Sequence, residues 1–228
     1  MTRGAPEART RSAPLGAFGV LAALAVGVVA VGWLLGGCGR VRGATAPSVP
    51  TPTSAAALGR LVVTSVPSGL PRMPDGGLRP PAGEKSLGDV AAYAGDPPRE
   101  RGVLERFGYR YGWERFWGRD GGPETSVFLD QFRTVTGARQ FAADLVGNDA
   151  AHYRATPLPG SGGLPAGCRL LTVEHPDASA GLRGPAAFAW CTRDVFTVAV
   201  TAVSGSPEAA LREVSAVVRA QVRRLPGP

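Results

Sequence analysis

An α+β fold, an antiparallel sheet covered by helices in a sandwich, is predicted by three features of this 228-residue sequence. Short β-branched and aromatic runs bounded by Gly and Pro recur after residue 58, and helical apolar patterns separate them into groups. Two cysteines, Cys168 and Cys191, fall where neighbouring strands would bring them face to face. The length suits one ordinary core plus an export segment and a spacer, so a single folded unit over residues 59–228 is expected.

Met1 to Pro14 carries three arginines and one acid, and Leu15 to Gly37 then runs LGAFGVLAALAVGVVAVGWLLGG without a charge. A basic region followed by an apolar one is the order of an export signal. About 20 apolar residues also suffice to cross a bilayer. Residues 1–37 are accordingly assigned as a signal or a membrane anchor. At its end, Leu35-Gly36-Gly37-Cys38 resembles a bacterial lipobox, in which small residues precede a cysteine that receives diacylglyceryl and becomes the mature N-terminus. The resemblance implies lipid attachment at Cys38, whose thiolate is the nucleophile. The alternative is an uncleaved single span with Cys38 incidental; Arg40 and Arg42 suit it less, because basic residues prefer the cytoplasmic flank. In both, the rest of the chain lies on the extracytoplasmic side of the cell membrane.

Residues 38–58 read as a spacer. Gly43 to Ala57, GATAPSVPTPTSAAA, has no apolar periodicity to bury, and its prolines keep it extended. Arg60 to Val66, RLVVTSV, predicts the first strand, and Pro67 to Gly83 an irregular loop. Ser86 to Tyr93 has a capping serine ahead of Leu87, Val90 and Ala91 at helical spacing. Gly102 to Phe107 adds a helical turn.

Tyr109 to Trp117 and Glu124 to Phe132 flank the turn-rich Gly118 to Pro123 and predict a β-hairpin. Thr136 to Asn148 follows as a helix with Ala138, Phe141, Ala142 and Leu145 on one face. After a Gly- and Pro-rich loop at Pro157 to Gly167, three antiparallel strands are predicted at Cys168 to Val173, Pro185 to Arg193 and Val195 to Val203. The last helix has Ser206 as N-cap, Pro207 at its first position, Glu208 in its first turn and Arg219, Arg223 and Arg224 toward its end. Its apolar stripe is Ala210, Leu211, Val214, Val217, Val218, Val222 and Leu225.

If Cys168 faces Cys191 across an antiparallel pair, Leu170 faces Ala189 and Thr172 faces Ala187, and the turn centres on the polar Ser179-Ala180. That self-consistency predicts a disulfide, which belongs to an oxidising compartment. It also leaves Cys38 as the odd thiol that lipidation accounts for.

Composition narrows the partners. There are 25 Lys and Arg against 18 Asp and Glu, yet Lys85 is the only lysine, a bias that with abundant Ala, Gly and Pro fits a GC-rich bacterial genome. After the apolar run, 22 basic and 17 acidic residues remain, mostly interleaved as in Arg99-Glu100-Arg101. That is a mixed solvated surface, and no nucleic-acid partner is expected.

No catalytic, cofactor or metal set is predicted. Pro159-Gly160-Ser161-Gly162-Gly163 misses the nucleophile-elbow pattern, and His152, near Asp149 after the helix, and His175, before Pro176 in a hairpin loop, read as surface histidines and not as general bases. No Walker loop, dinucleotide fingerprint or acidic calcium loop is present. The most suggestive cluster is aromatic: strand alternation puts Tyr109, Tyr111, Trp113 and Trp117 on one face, either a ligand platform or core beneath a helix.

In its lipobox, Pro-rich spacer, single cysteine pair and short antiparallel strands, the chain resembles actinobacterial cell-envelope lipoproteins and sensor-type ectodomains, some with PsbP-like sandwich folds. The resemblance is architectural and implies fold and address. The expected function is non-enzymatic binding of an envelope component or partner protein by a membrane-tethered domain. The alternatives are a cell-wall hydrolase using carboxylates of the 109–132 hairpin, near Glu114 and Glu124, and a structural or assembly factor of the envelope.

Overall fold

A computed structural model of the protein describes residues 49–119, 121–159, 163–176 and 181–227. The residues expected to form an export segment, Cys38, most of the expected spacer and the turn expected at Ser179-Ala180 lie outside the described residues. Among the described residues, no helix is long and apolar enough to cross a membrane.

The elements are α1 (Ala55–Gly59), β1 (Gly83–Lys85), α2 (Leu87–Ala91), α3 (Pro97–Phe107), β2 (Tyr109–Gly118), β3 (Glu124–Phe132), α4 (Val135–Tyr153), β4 (Leu158–Pro159), β5 (Cys168–Val173), β6 (Ala186–Arg193), β7 (Phe196–Val203) and α5 (Pro207–Arg224). The strands form one seven-stranded sheet in the order β1-β2-β3-β7-β6-β5-β4, with every neighbouring pair antiparallel. Two meanders therefore meet at its centre. β1 to β3 run inward from one edge, α4 crosses to the other edge, and β4 to β7 return until β7 lies beside β3. The α+β class and the antiparallel sheet under helices are as the sequence predicts.

Each face of the sheet has its own core. One holds Val127, Leu129, Leu170, Ala187, Ala189, Phe196, Val198 and Val200 against the α5 stripe of Ala210, Val214, Val217 and Val218, together with Leu58, Val62 and Val63 from the chain before β1. The other packs Phe132, Leu171, Phe188 and Trp190 against Ala138, Phe141, Leu145 and Tyr153 of α4 and Leu104 of α3. The pleat sends alternate residues to opposite faces, so β6, with helices on both sides, reads as a nearly continuous apolar run.

Local signals fix most helix ends. Ser86 and Asp89 form a capping box on α2, with Ser86 N donating to Asp89 Oδ2 at 2.8 Å and Asp89 N to Ser86 Oγ at 3.2 Å. Asp96 caps α3, Pro97 opens it and Gly108, at φ 73°, ends it; the helical turn expected at 102–107 is the second half of this longer helix. Thr134 caps α4, which runs past Asn148 to Tyr153. Ser206 caps α5 by accepting from Ala209 N at 3.2 Å.

Two expectations are corrected here. Residues 60–66 are not a strand: Val62, Val63 and Val66 are buried, but as an irregular segment lying across the sheet. Side chains take the place of a partner strand for its backbone. Buried Arg115 donates to the carbonyls of Gly59, Val62 and Val63 at 3.3, 3.0 and 2.6 Å, and Gln221 accepts from Val63 N at 2.9 Å while donating to Leu61 O at 3.1 Å. The spacer also ends earlier than residue 58, since Pro52, Ala55 and Leu58 are buried and Ser54 caps α1. Within α1, Ala55, Leu58 and Gly59 are the buried residues, and they are enough when a sheet face awaits them.

Cys168 and Cys191 are joined in a disulfide, with Cα atoms 4.1 Å apart. The register around them pairs Leu170 with Ala189 and Thr172 with Ala187, as the cysteine spacing predicts.

Candidate functional site

The aromatic strand does not keep its four rings on one face. Between Tyr109 and Tyr111 the register of β2 shifts, so Tyr109 opposes Phe132 while Tyr111 opposes Gln131, adjacent residues of β3. This bulge around Arg110 turns Tyr109 to the α4 face, because one extra residue inverts the alternation on one side of it. There Tyr109 meets Phe132 and Phe141 edge-on at 5.5 and 6.5 Å.

Tyr111, Trp113 and Trp117 keep the other face, but the protein's own chain covers them. Tyr111 donates its hydroxyl hydrogen to Pro52 O at 2.9 Å. Gly59 lies so close beneath Trp113 that a Cβ there would stand 2.5 Å from the indole, and Trp117 is 1% exposed. Aromatic faces bury more area than other side chains, so a segment able to lie flat on them fills the site a ligand would need.

What the fold assembles instead is a buried polar cluster where α2 meets the sheet. Lys85 and Glu114, 4% and 3% exposed, stand 3.3 Å apart across the β1–β2 pair. Tyr93 donates to Glu114 Oε2 at 2.9 Å, and the Lys85 ammonium also reaches Pro81 O and lies 5.7 Å from the centre of the Tyr93 ring. Tyr109 donates to Asp130 Oδ1 at 3.1 Å and lies 3.3 Å from Lys85 O. Gly112 makes room, for a Cβ there would collide with the Asp130 carboxylate and the Tyr109 hydroxyl.

Burial pushes the Glu114 carboxyl up to about 7, although Lys85 and the Tyr93 hydrogen bond pull the other way. Burial, and then the facing carboxylates Glu114 and Asp130, raise Tyr93 and Tyr109 far above the ordinary tyrosine value. Both hydroxyls are therefore fixed as donors at any physiological pH. Chemically the cluster can exchange one proton near neutrality at Glu114.

The other acid singled out on the hairpin, Glu124, is exposed at the far end of β3 opposite Gly118, four residues along from Glu114. At about 3.3 Å per residue this separates them by roughly 13 Å, beyond the ~5 to ~9.5 Å of paired glycosidase carboxylates. His152 packs edge-on against Tyr153 at 4.6 Å, and His175 lies in the segment after β5. Ser161 is outside the described residues. Among the described residues, no three His, Cys, Asp or Glu side chains gather as metal ligands. Two open concavities among the described residues measure about 340 Å³, lined by residues 63–65, Ala220, Arg223 and Arg224, and about 260 Å³, lined by residues 72–74, 77–78 and 118–119.

Sequence reasoning missed Lys85 and Tyr93 as partners of Glu114. The signal that was present is the solitary lysine among 25 basic residues, directly before the capping serine of α2. In a chain that otherwise uses arginine, a buried single-point cation is a specific choice.

No protein-family model matches the chain, and no curated protein matches it. Among solved structures it is similar to the extracellular domain of PknH from Mycobacterium tuberculosis, at 14% identity, over 77% of this chain and 99% of that one, with a TM-score of 0.47.

Proposed function

We propose that the protein is a membrane-tethered extracytoplasmic domain that binds an envelope component or partner protein without catalysing a reaction. The observation that carries the address is the Cys168–Cys191 disulfide between two core strands, a bond that persists in oxidising compartments, on a chain that opens with an export-type segment. The non-enzymatic part is supported by how the reactive groups are spent. Glu114 is tied to Lys85 and Tyr93, Asp130 to Tyr109, and the broad aromatic face to residues 52–59. Recognition is thereby left to the outer surfaces of the helices and loops.

Two measurements on host cells test this. In protoplasts with an intact membrane, added protease should degrade the domain; full protection overturns the address. In a deletion strain, the Glu114→Gln chain should restore whatever envelope phenotype the native chain restores, whereas its failure at normal abundance would favour the hydrolase reading. Intact mass of the native chain beside Cys38→Ala distinguishes a cleaved diacylated protein from an unprocessed span.

A further inference from the structure

The two ends of the sheet carry different charge. At one end lie the start of β2, the end of β3, the β6–β7 turn, the N-terminus of α4 and the C-terminus of α5. The pairings Tyr111–Gln131, Gln131–Phe196 and Arg193–Phe196 bring the strands together there. Thr197 Oγ1 donates to Ala138 O at 3.0 Å and Arg193 Nε to Pro226 O at 2.9 Å, which hold both helix ends over the same edge. Arg110, Arg133, Arg139, Arg223 and Arg224 are exposed and Arg193 is half-buried. Their acidic neighbours at this end are Glu105 on α3 and Asp194 in the β6–β7 turn. Carbonyl oxygens accept from Arg193 and from Arg224, at Leu61 O (2.8 Å) and Arg60 O (3.1 Å), which positions the guanidinium groups without neutralising them. The opposite end mixes signs: Arg119, Arg183 and Arg212 stand among Glu124, Glu174 and Glu208.

The basic end is also where the chain enters the fold. Pro52 O accepts from Tyr111 and from Gln131 Nε2 at 2.9 and 3.1 Å, at the beginning of β2 and the end of β3. From Cys38 to residue 49 the backbone spans at most about 40 Å. A tether this short holds the domain at high effective concentration above its own bilayer and delivers this end first.

We propose that this basic end is a docking surface for the anionic lipid headgroups of the membrane that holds the chain, resting on the tether reading above. Arginine forks grip phosphate oxygens in pairs, and exposed basic groups gain from a negative surface within a Debye length, about 8 Å at physiological salt. Docking orients the domain, pointing the mixed-charge end and the β2–β3 turn away from the bilayer toward the envelope.

The test uses the full chain in nanodiscs of phosphatidylcholine alone or of equal parts phosphatidylcholine and phosphatidylglycerol. A benzophenone side chain is introduced at exposed Thr136, on the first turn of α4, or at exposed Pro123, in the opposite turn. Irradiation should crosslink lipid from Thr136 in the anionic discs only, and from Pro123 in neither. Removing charge with Arg110→Ser, Arg133→Ser and Arg139→Ser should lower the Thr136 yield by about fivefold per arginine. The control pair Arg119→Ser and Arg183→Ser should leave it unchanged. Native chain in 1 M salt, where the Debye length is about 3 Å, should lose the crosslink while still floating with lipid. Equal Thr136 yields in the two lipids, or a yield indifferent to salt, overturns the docking while the tether stands. A chain that fails to float at high salt overturns the tether reading and the docking with it.

Discussion

Lys85→Met removes the charge at the centre of the polar cluster while keeping a stem of similar length. In the native fold the Glu114 carboxyl sits at about 7 against its ordinary 4.5. Between those values the folded state holds a proton that the unfolded chain has released. Stability from this group is therefore full below about 4.5 and declines as pH rises through about 7, by up to ~3 kcal/mol at 1.36 kcal/mol per unit.

Lys85 limits that loss by facing the carboxylate at 3.3 Å. Without it Glu114 rises further, and ionising it leaves an uncompensated buried charge. We expect Lys85→Met to cost less than about 1 kcal/mol at pH 5, where Glu114 is neutral in both chains, and about 2 to 3 kcal/mol at pH 8.5. Urea unfolding followed by tryptophan fluorescence at the two pH values measures both, and Glu114→Gln should flatten the native slope between them. An equal cost of Lys85→Met at pH 5 and pH 8.5 would refute the argument, because lost packing has no reason to titrate in that window.

Three further outcomes follow from the packing. Replacing Cys168 and Cys191 together by Ala reopens a loop of 23-residue separation and should cost about 3 kcal/mol in denaturant unfolding, a difference that vanishes when both proteins are compared under reducing conditions. Gly59→Ala drives a methyl into the Trp113 ring and should cost about 2 kcal/mol with a red-shifted emission as α1 lifts; unchanged stability and emission would show that α1 does not need this contact. Glu213 accepts from Ser68 N and Oγ at 3.0 and 2.6 Å and from Thr125 Oγ1 at 3.3 Å. Glu213→Ala should cost about 2 kcal/mol and speed proteolytic cutting in residues 67–72, which that carboxylate holds to α5.

The fold was largely legible because its signals are local or self-checking. Ser86 and Ser206 announce helix starts by the hydroxyl each offers to its own first turn. The Cys168–Cys191 pair sets a register that the sequence between them can satisfy in one way. The candidate site was far less legible. Strand alternation assumes an unbroken ladder, and the bulge near Arg110 breaks it, so Tyr109 leaves the face that Tyr111, Trp113 and Trp117 share.

The sequence by itself determined the class of fold, the β2–β3 hairpin, the run of strands β5 to β7 and the cysteine pairing, all of which depend on residues close in the chain or on periodicity. Only the tertiary structure decided what lies on the aromatic strand and which groups meet Glu114. Val62 and Val63 look like a strand because β-branched residues suit any buried extended backbone. Whether they pair with a strand or lie across the sheet depends on Arg115 and Gln221, 52 to 158 residues away, supplying the hydrogen bonds. Likewise Lys85 becomes the partner of Glu114 only once β1 joins the edge of the sheet, a three-residue strand too short to announce itself. The basic end is assembled the same way, from arginines scattered between residues 110 and 224 that share an edge only after the two meanders close at β3 and β7.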